Sequence, residues 1–192
     1  MSFWTLSDGD TAVNTPKEYE IPGGSMEPIP NNSDVLAIID QAKWAERDGK
    51  NYIELRWSVM APDEVKNRKI FHKLWVTDLD PNAKDEAKGK AKRDKARRML
   101  ASIDANSGGN LTRTGDAPTD ETLTMHLCTT PMVVKIMRWD MTGSDGQPMA
   151  GNWVSAVSPS DKPLHISDEK PPVAAGQPAP QTDTLSNSDI PF

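Results

Sequence analysis

The chain has 192 residues, with 22 Lys+Arg against 28 Asp+Glu for a formal net charge of −6, so it is long enough for one medium domain with tails. Hydrophobic residues make up 36%, and the 12 glycines raise this only to about 42%, below the level of a wholly globular chain. A single cysteine, Cys128, and three scattered histidines exclude an internal disulfide framework and a multi-Cys zinc site, and fit a reducing compartment.

No apolar run reaches the ~20 residues that span a bilayer, and the N-terminus lacks the basic and apolar regions of a secretion signal. The expectation is a cytoplasmic protein with no membrane association. The first thirty residues hold Gly23-Gly24 and Pro16, Pro22, Pro28 and Pro30, which read as an irregular arm with at most one short strand at Lys17 to Ile21. We divide the chain into an arm over 1–32, a folded domain over 33–157 and a tail over 158–192.

Within the domain, Val35 to Trp44 and Asn51 to Met60 are strand-like runs joined by the turn signal Glu46-Arg47-Asp48-Gly49-Lys50, so a hairpin is predicted. The second run alternates, with Ile53, Leu55, Trp57 and Val59 as the core side and Tyr52, Glu54, Arg56 and Ser58 on the other. A third run, Lys69 to Thr77, sets Ile70, His72, Leu74 and Val76 against Phe71, Lys73, Trp75 and Thr77. Asp80-Pro81 reads as a helix start, with the helix running through Ala83 to about Ala105 and stopping at Gly108-Gly109. Ala96, Met99, Leu100 and Ile103 recur on one face of that helix, while Lys84 to Arg98 carries a local charge of +5. Asp120 to Cys128 fits either a helical turn or a strand. Val133 to Met141 and Asn152 to Val157 are strand candidates around the turn Thr142-Gly143-Ser144-Asp145-Gly146.

Three strands, a helix and two strands is the element order of a five-stranded OB barrel with its helix between strands 3 and 4. The predicted fold class is therefore mainly β, an OB-fold followed by a disordered acidic tail. From Pro159 onward the chain has seven of the 16 prolines, and Ser160 to Phe192 carries a formal −3 with almost nothing to bury.

No phosphate loop, dinucleotide fingerprint, zincin motif or nucleophile elbow is present, so the expectation is a protein that is not an enzyme and uses no cofactor and no metal. Acid pairs such as Asp78 and Asp80 are explained as turns and caps. The six tryptophans among eleven aromatics are more informative. Trp44, Trp57, Trp75, Trp139 and Trp153 fall one on each strand candidate, more than a small barrel buries. Aromatic rings interleaved with cations form the stacking and phosphate-holding pattern of single-strand binders. On that pattern Tyr52, Phe71, Trp75 and Trp139 are candidate stacking residues, and Arg56, Lys73, Lys135, Lys92 and Arg93 are candidate phosphate contacts. Arg138 and Trp139 must face opposite sides of an unbulged strand.

The chain ends Asp189-Ile190-Pro191-Phe192 after a Pro-rich acidic tail. This tip is similar to that of bacterial single-stranded-DNA-binding proteins (SSB). The resemblance implies that Phe192 and its carboxylate dock in a basic, apolar-floored pocket on replication or recombination proteins such as a polymerase, helicase, primase or recombinase. Asp189, with Ile190 and Pro191 beside it, would meet cations at the pocket rim. In this chain Thr184 to Ser188 separates the tip from the next acid, Asp183. The body, through stretches such as NYIELRWSVMAPDEVKNRKIFHKLWVTD, AKRDKARRMLASIDANSGG and VVKIMRWD, resembles a set of phage and prophage proteins proposed to bind single-stranded DNA. These resemblances imply a single-stranded-DNA-binding protein of replication or recombination in a bacterial host cell, and a homo-oligomer is compatible with them. The rival expectation is an adaptor or inhibitor that mimics the SSB tip to engage host replication enzymes without touching DNA.

Overall fold

The computed structural model describes residues 27–143, 146 and 148–168. The expected short strand at Lys17 to Ile21, Trp4 and the whole Asp189 to Phe192 tip lie outside the described residues. The elements in chain order are β1 (Ser33–Arg47), β2 (Lys50–Ala61), a 3₁₀ turn (Asp63–Val65), β3 (Lys69–Leu74), α1 (Glu86–Asn106), α2 (Asn110–Thr114), α3 (Asp120–Leu127), β4 (Met132–Thr142) and β5 (Pro148–Ser158).

The five strands form one antiparallel sheet in the order β3-β2-β1-β4-β5. Its centre is β1, 15 residues long, whose first residues pair with β4 while the remainder pairs with β2. Register shifts between Leu36 and Ala37 and between Ile39 and Gln41 let this one strand serve both halves, because a bulge bends and twists the strand that carries it. The edge strands β3 and β5 approach to within 8 Å between Cα atoms, yet neither pairs with the other in the sheet order. The expected five-stranded barrel is thus found as a five-stranded sheet that is curled but not closed, open at the β3–β5 seam.

The β1–β2 hairpin turns through Asp48 and Gly49, both at positive φ (52° and 72°), as a two-residue turn matched to strand twist requires. Alternation then holds as predicted: Ile53, Leu55, Trp57 and Val59, and on β3 Ile70, His72 and Leu74, are buried on the core side. Val76, beyond the end of β3, is buried with them. Ala96, Met99 and Leu100 of α1 pack against this cluster, which includes Ile103, and Leu123 and Leu127 of α3 complete it.

Several boundaries differ from the sequence reading for identifiable reasons. The helix starts at Glu86 rather than at Pro81, because Asp85 accepts from Lys88 N at 2.7 Å and is the true N-cap. Asp80 instead closes a turn, accepting from Asn82 N at 2.9 Å. Three helices, rather than one, lie between β3 and β4. The segment Asp120–Leu127, which fits helix or strand by its residues alone, is helical, fixed by a reciprocal capping box between Thr119 and Thr122. Asp104, buried at the end of α1, accepts from Leu111 N (3.0 Å), Thr112 N (2.9 Å) and Thr112 Oγ1 (2.8 Å), thereby capping α2. Burial would raise its pKa, but these hydrogen bonds together outweigh burial and lower it.

The folded region also reaches past both expected limits of 33 and 157. Ile29 is fully buried, with its N–H donating to Asn152 Oδ1 (2.8 Å) and its carbonyl accepting from Asn152 Nδ2 (2.9 Å). After β5 the chain returns to β1: His165 forms a two-way backbone bridge with Asp34, and Lys162 Nζ lies 2.9 Å from the Asp34 carboxylate. Among the described residues no helix is long and apolar enough to cross a membrane.

Candidate nucleic-acid interface

The register of β1, β2 and β3 defines the outer face of this half of the sheet. Glu54 stands beside Lys43 and Lys73, Arg56 beside Gln41 and Phe71, and Ser58 beside Lys69. Phe71 is 58% exposed, the opposite of what apolar side chains normally do at the centre of a strand. Cations surround it on three sides: Arg56 directly across, with Lys69 and Lys73 two residues away on its own strand.

Acids temper that face. The Asp40 carboxylate accepts from Arg56 Nε at 2.6 Å and also binds Lys69 Nζ, while Lys69 Nζ donates to Ser58 Oγ at 2.9 Å. Burial would raise the pKa of Asp40, but its bonds to Lys69 and Arg56 lower it overall, so it is ionised at neutral pH. Glu54 lies 3.7 Å from Lys43. Alternation from the buried Val35, Ala37 and Ile39 points Asp40 to this face, and because Asp40 is the extra residue at the β1 bulge, Gln41 follows on the same side.

Two of the expected stacking residues are placed differently from the expectation. Tyr52 and Trp75 are only 6% and 3% exposed, because their rings pack on each other with centroids 4.8 Å apart and an interplanar angle of 43°. Trp75 also lies past the end of β3, where Val76 N bonds Leu74 O at 3.0 Å and turns the chain inward. Neither ring offers a free face in this conformation. Lys73 Nζ caps the pair, 5.5 Å from the Tyr52 centroid. Burial, then the nearby Glu54 charge, raises the Tyr52 pKa.

The fourth strand contributes elsewhere. Trp139 lies across from Gly151, where any Cβ would fall 2.5 Å from its Cζ2, so only glycine admits the indole. Arg138 makes a two-pronged pair with Asp140 (3.0 and 2.7 Å), and that bonding raises its pKa. Lys135 is half-buried on β4 with Asp34 and Ala156 as its strand neighbours. Lys135 and Trp139 therefore do not join Phe71, since β1 and β2 separate β4 from β3 in the sheet.

A cleft of about 720 Å³ opens at the seam between β3, α1 and β5. Lys73, Trp75 and Lys92 line it, so part of the predicted set does converge, but on a second surface. Lys92 Nζ is 3.3 Å from the buried Asp80 carboxylate. Arg93, on the same helix, is half-buried, and its Nε has no partner among the described residues. The structure adds residues outside the predicted set: Lys43, Lys69 and Asp40 on the outer face and Lys95, Arg98 and Trp153 in the cleft. Lys69 shares the parity of Phe71 and is legible from alternation alone; the cleft set requires the packing of α1 on the seam.

Neither the protein-family models nor the curated proteins include a match to this chain.

Proposed function

We propose that the protein binds single-stranded DNA across the outer face of β1, β2 and β3 during replication or recombination, and engages partner proteins through Asp189 to Phe192. The observation that carries this reading is Phe71, an exposed ring set among Arg56, Lys69 and Lys73 on the sheet. Stacking on a ring gives sequence-tolerant binding, and the cations hold the phosphates on either side. The architecture supports the same reading. A long, bulged β1 shared between two halves, a helix between β3 and β4, and edge strands meeting at an open seam suit a partly open OB-type barrel, whose second and third strands carry oligonucleotides. No catalytic step is part of the proposal.

The test is Phe71→Ala in the full chain, with oligo(dT) affinity measured beside thermal stability. Loss of one stacked base is worth roughly 1–3 kcal/mol, so affinity should fall about five- to a hundredfold while the fold persists. Unchanged affinity would refute the assignment. The adaptor reading draws on Asp40, which already occupies Arg56 and Lys69. It predicts that removing Asp189 to Phe192 abolishes partner capture while Phe71→Ala does nothing.

A further inference from the structure

We propose that the cleft between β3, α1 and β5 is a nucleotide pocket that takes one nucleotide of the bound strand, its base against Trp153 and its phosphate on Lys95 and Arg98. This rests on the single-strand reading above and extends it to a surface that the sheet face does not include.

Size comes first: about 720 Å³ falls within the range of small-ligand sites, roughly 300–1,000 Å³. Charge then selects the class of ligand. The walls bring together Lys73, Lys92, Lys95 and Arg98 against one carboxylate, Asp80, in a protein whose net charge is −6. Lys92 is held by Asp80 at 3.3 Å, whereas among the described residues neither Lys95 nor Arg98 enters an ion pair. Two cations are thus left for an anion.

The remaining wall selects a flat ring. Trp153 of β5 is a half-buried wall of the cleft and supplies the ring for the base to lie against, whereas Trp75, just past β3, lines it with only 3% of its surface exposed.

Continuity argues for a strand rather than a separate metabolite. Lys73 belongs to both surfaces, covering Tyr52 on the outer face and lining the cleft. Phe71 is two residues away on the same strand, about 7 Å along β3. A strand stacked on Phe71 therefore reaches the cleft over Lys73 without a break.

The experiment compares two double variants of the full chain for binding to a labelled oligo(dT) of about 20 nucleotides. One is Lys95→Ala with Arg98→Ala. The other is Lys88→Ala with Lys90→Ala, which removes the same charge from exposed positions of α1 outside the cleft. The cleft variant should lose about tenfold or more, with the slope of log affinity against log salt reduced by about 1.4 for two phosphate contacts. The control should stay within about threefold. Equal losses, or no loss in either, would overturn the pocket while leaving the dependence on Phe71 intact. An oligonucleotide carrying photoreactive 5-iodouracil should crosslink to Trp153 as well as to Phe71, and crosslinks confined to β1, β2 and β3 would also overturn it. Thymidine monophosphate distinguishes the source: competition by it without any effect of the cleft variant on strand binding would mean a free-nucleotide site and refute the strand path. If the wild-type chain binds no oligo(dT), the single-strand reading itself fails and the pocket falls with it.

Discussion

His72 should make the fold sensitive to mild acid by an amount that its burial sets. It sits on the core side of β3 opposite Leu55, is 5% exposed, and burial pushes its pKa from 6.5 down to about 4. The imidazole is therefore neutral in the folded protein at every pH above about 4, whereas in the unfolded chain it takes up a proton below 6.5. Because the unfolded state binds more protons between these two values, stability must fall as pH falls through that window. Each pH unit inside it is worth ~1.4 kcal/mol, so the step from pH 7 to pH 5 should cost about 2 kcal/mol from this residue alone. Asp40 and Asp104, whose pKa values are lowered from 3.8, stabilise the fold above that value and lose this contribution only in stronger acid, so they do not confuse the window. Urea unfolding followed by tryptophan fluorescence at pH 7, 6 and 5 measures the effect. His72→Leu, which fills the site with an apolar side chain that does not titrate, should flatten the profile by about 2 kcal/mol relative to wild type. Parallel pH profiles for the two proteins would show that His72 is not the group responsible.

Two further predictions concern the sheet. Gly151→Val places a side chain where a Cβ alone would lie 2.5 Å from Trp139, so it should destabilise by roughly 1–3 kcal/mol, and adding Trp139→Ala should recover part of that loss in the same urea assay. Asp40→Asn releases Arg56 and Lys69 from their shared carboxylate, so oligo(dT) affinity at low salt should rise several-fold with a steeper salt dependence; a fall in affinity would count against the proposed face.

Local sequence is informative where a residue's near neighbours decide its fate. The β1–β2 hairpin, the inward set Ile53, Leu55, Trp57 and Val59, and the apolar face of α1 follow from period and turn chemistry, and all are found as read. The choice between Asp80 and Asp85 as helix cap is harder, because both residues can cap and only the backbone path separates them. Tyr52 and Trp75 escape prediction because parity does not tell solvent from a neighbouring ring, and each ring covers the other. A bulge interrupts parity: after the extra residue at Asp40, Gln41 and Lys43 stand on the outer face rather than on the side of Val35, Ala37 and Ile39. The cleft joins β3, α1 and β5, elements far apart along the chain, and no local pattern encodes that meeting.

Single-strand recognition is tested most simply by equilibrium binding of the full-length protein to labelled oligo(dT), with a matched duplex as control and salt varied over about a tenfold range. Stacking on Phe71 between phosphate-holding cations predicts saturable binding to the single strand, weak binding to the duplex, and log affinity falling linearly with log salt by about 0.7 for each phosphate held. Equal affinity for duplex and single strand, an affinity indifferent to salt, or no binding at all would rule that mode of recognition out.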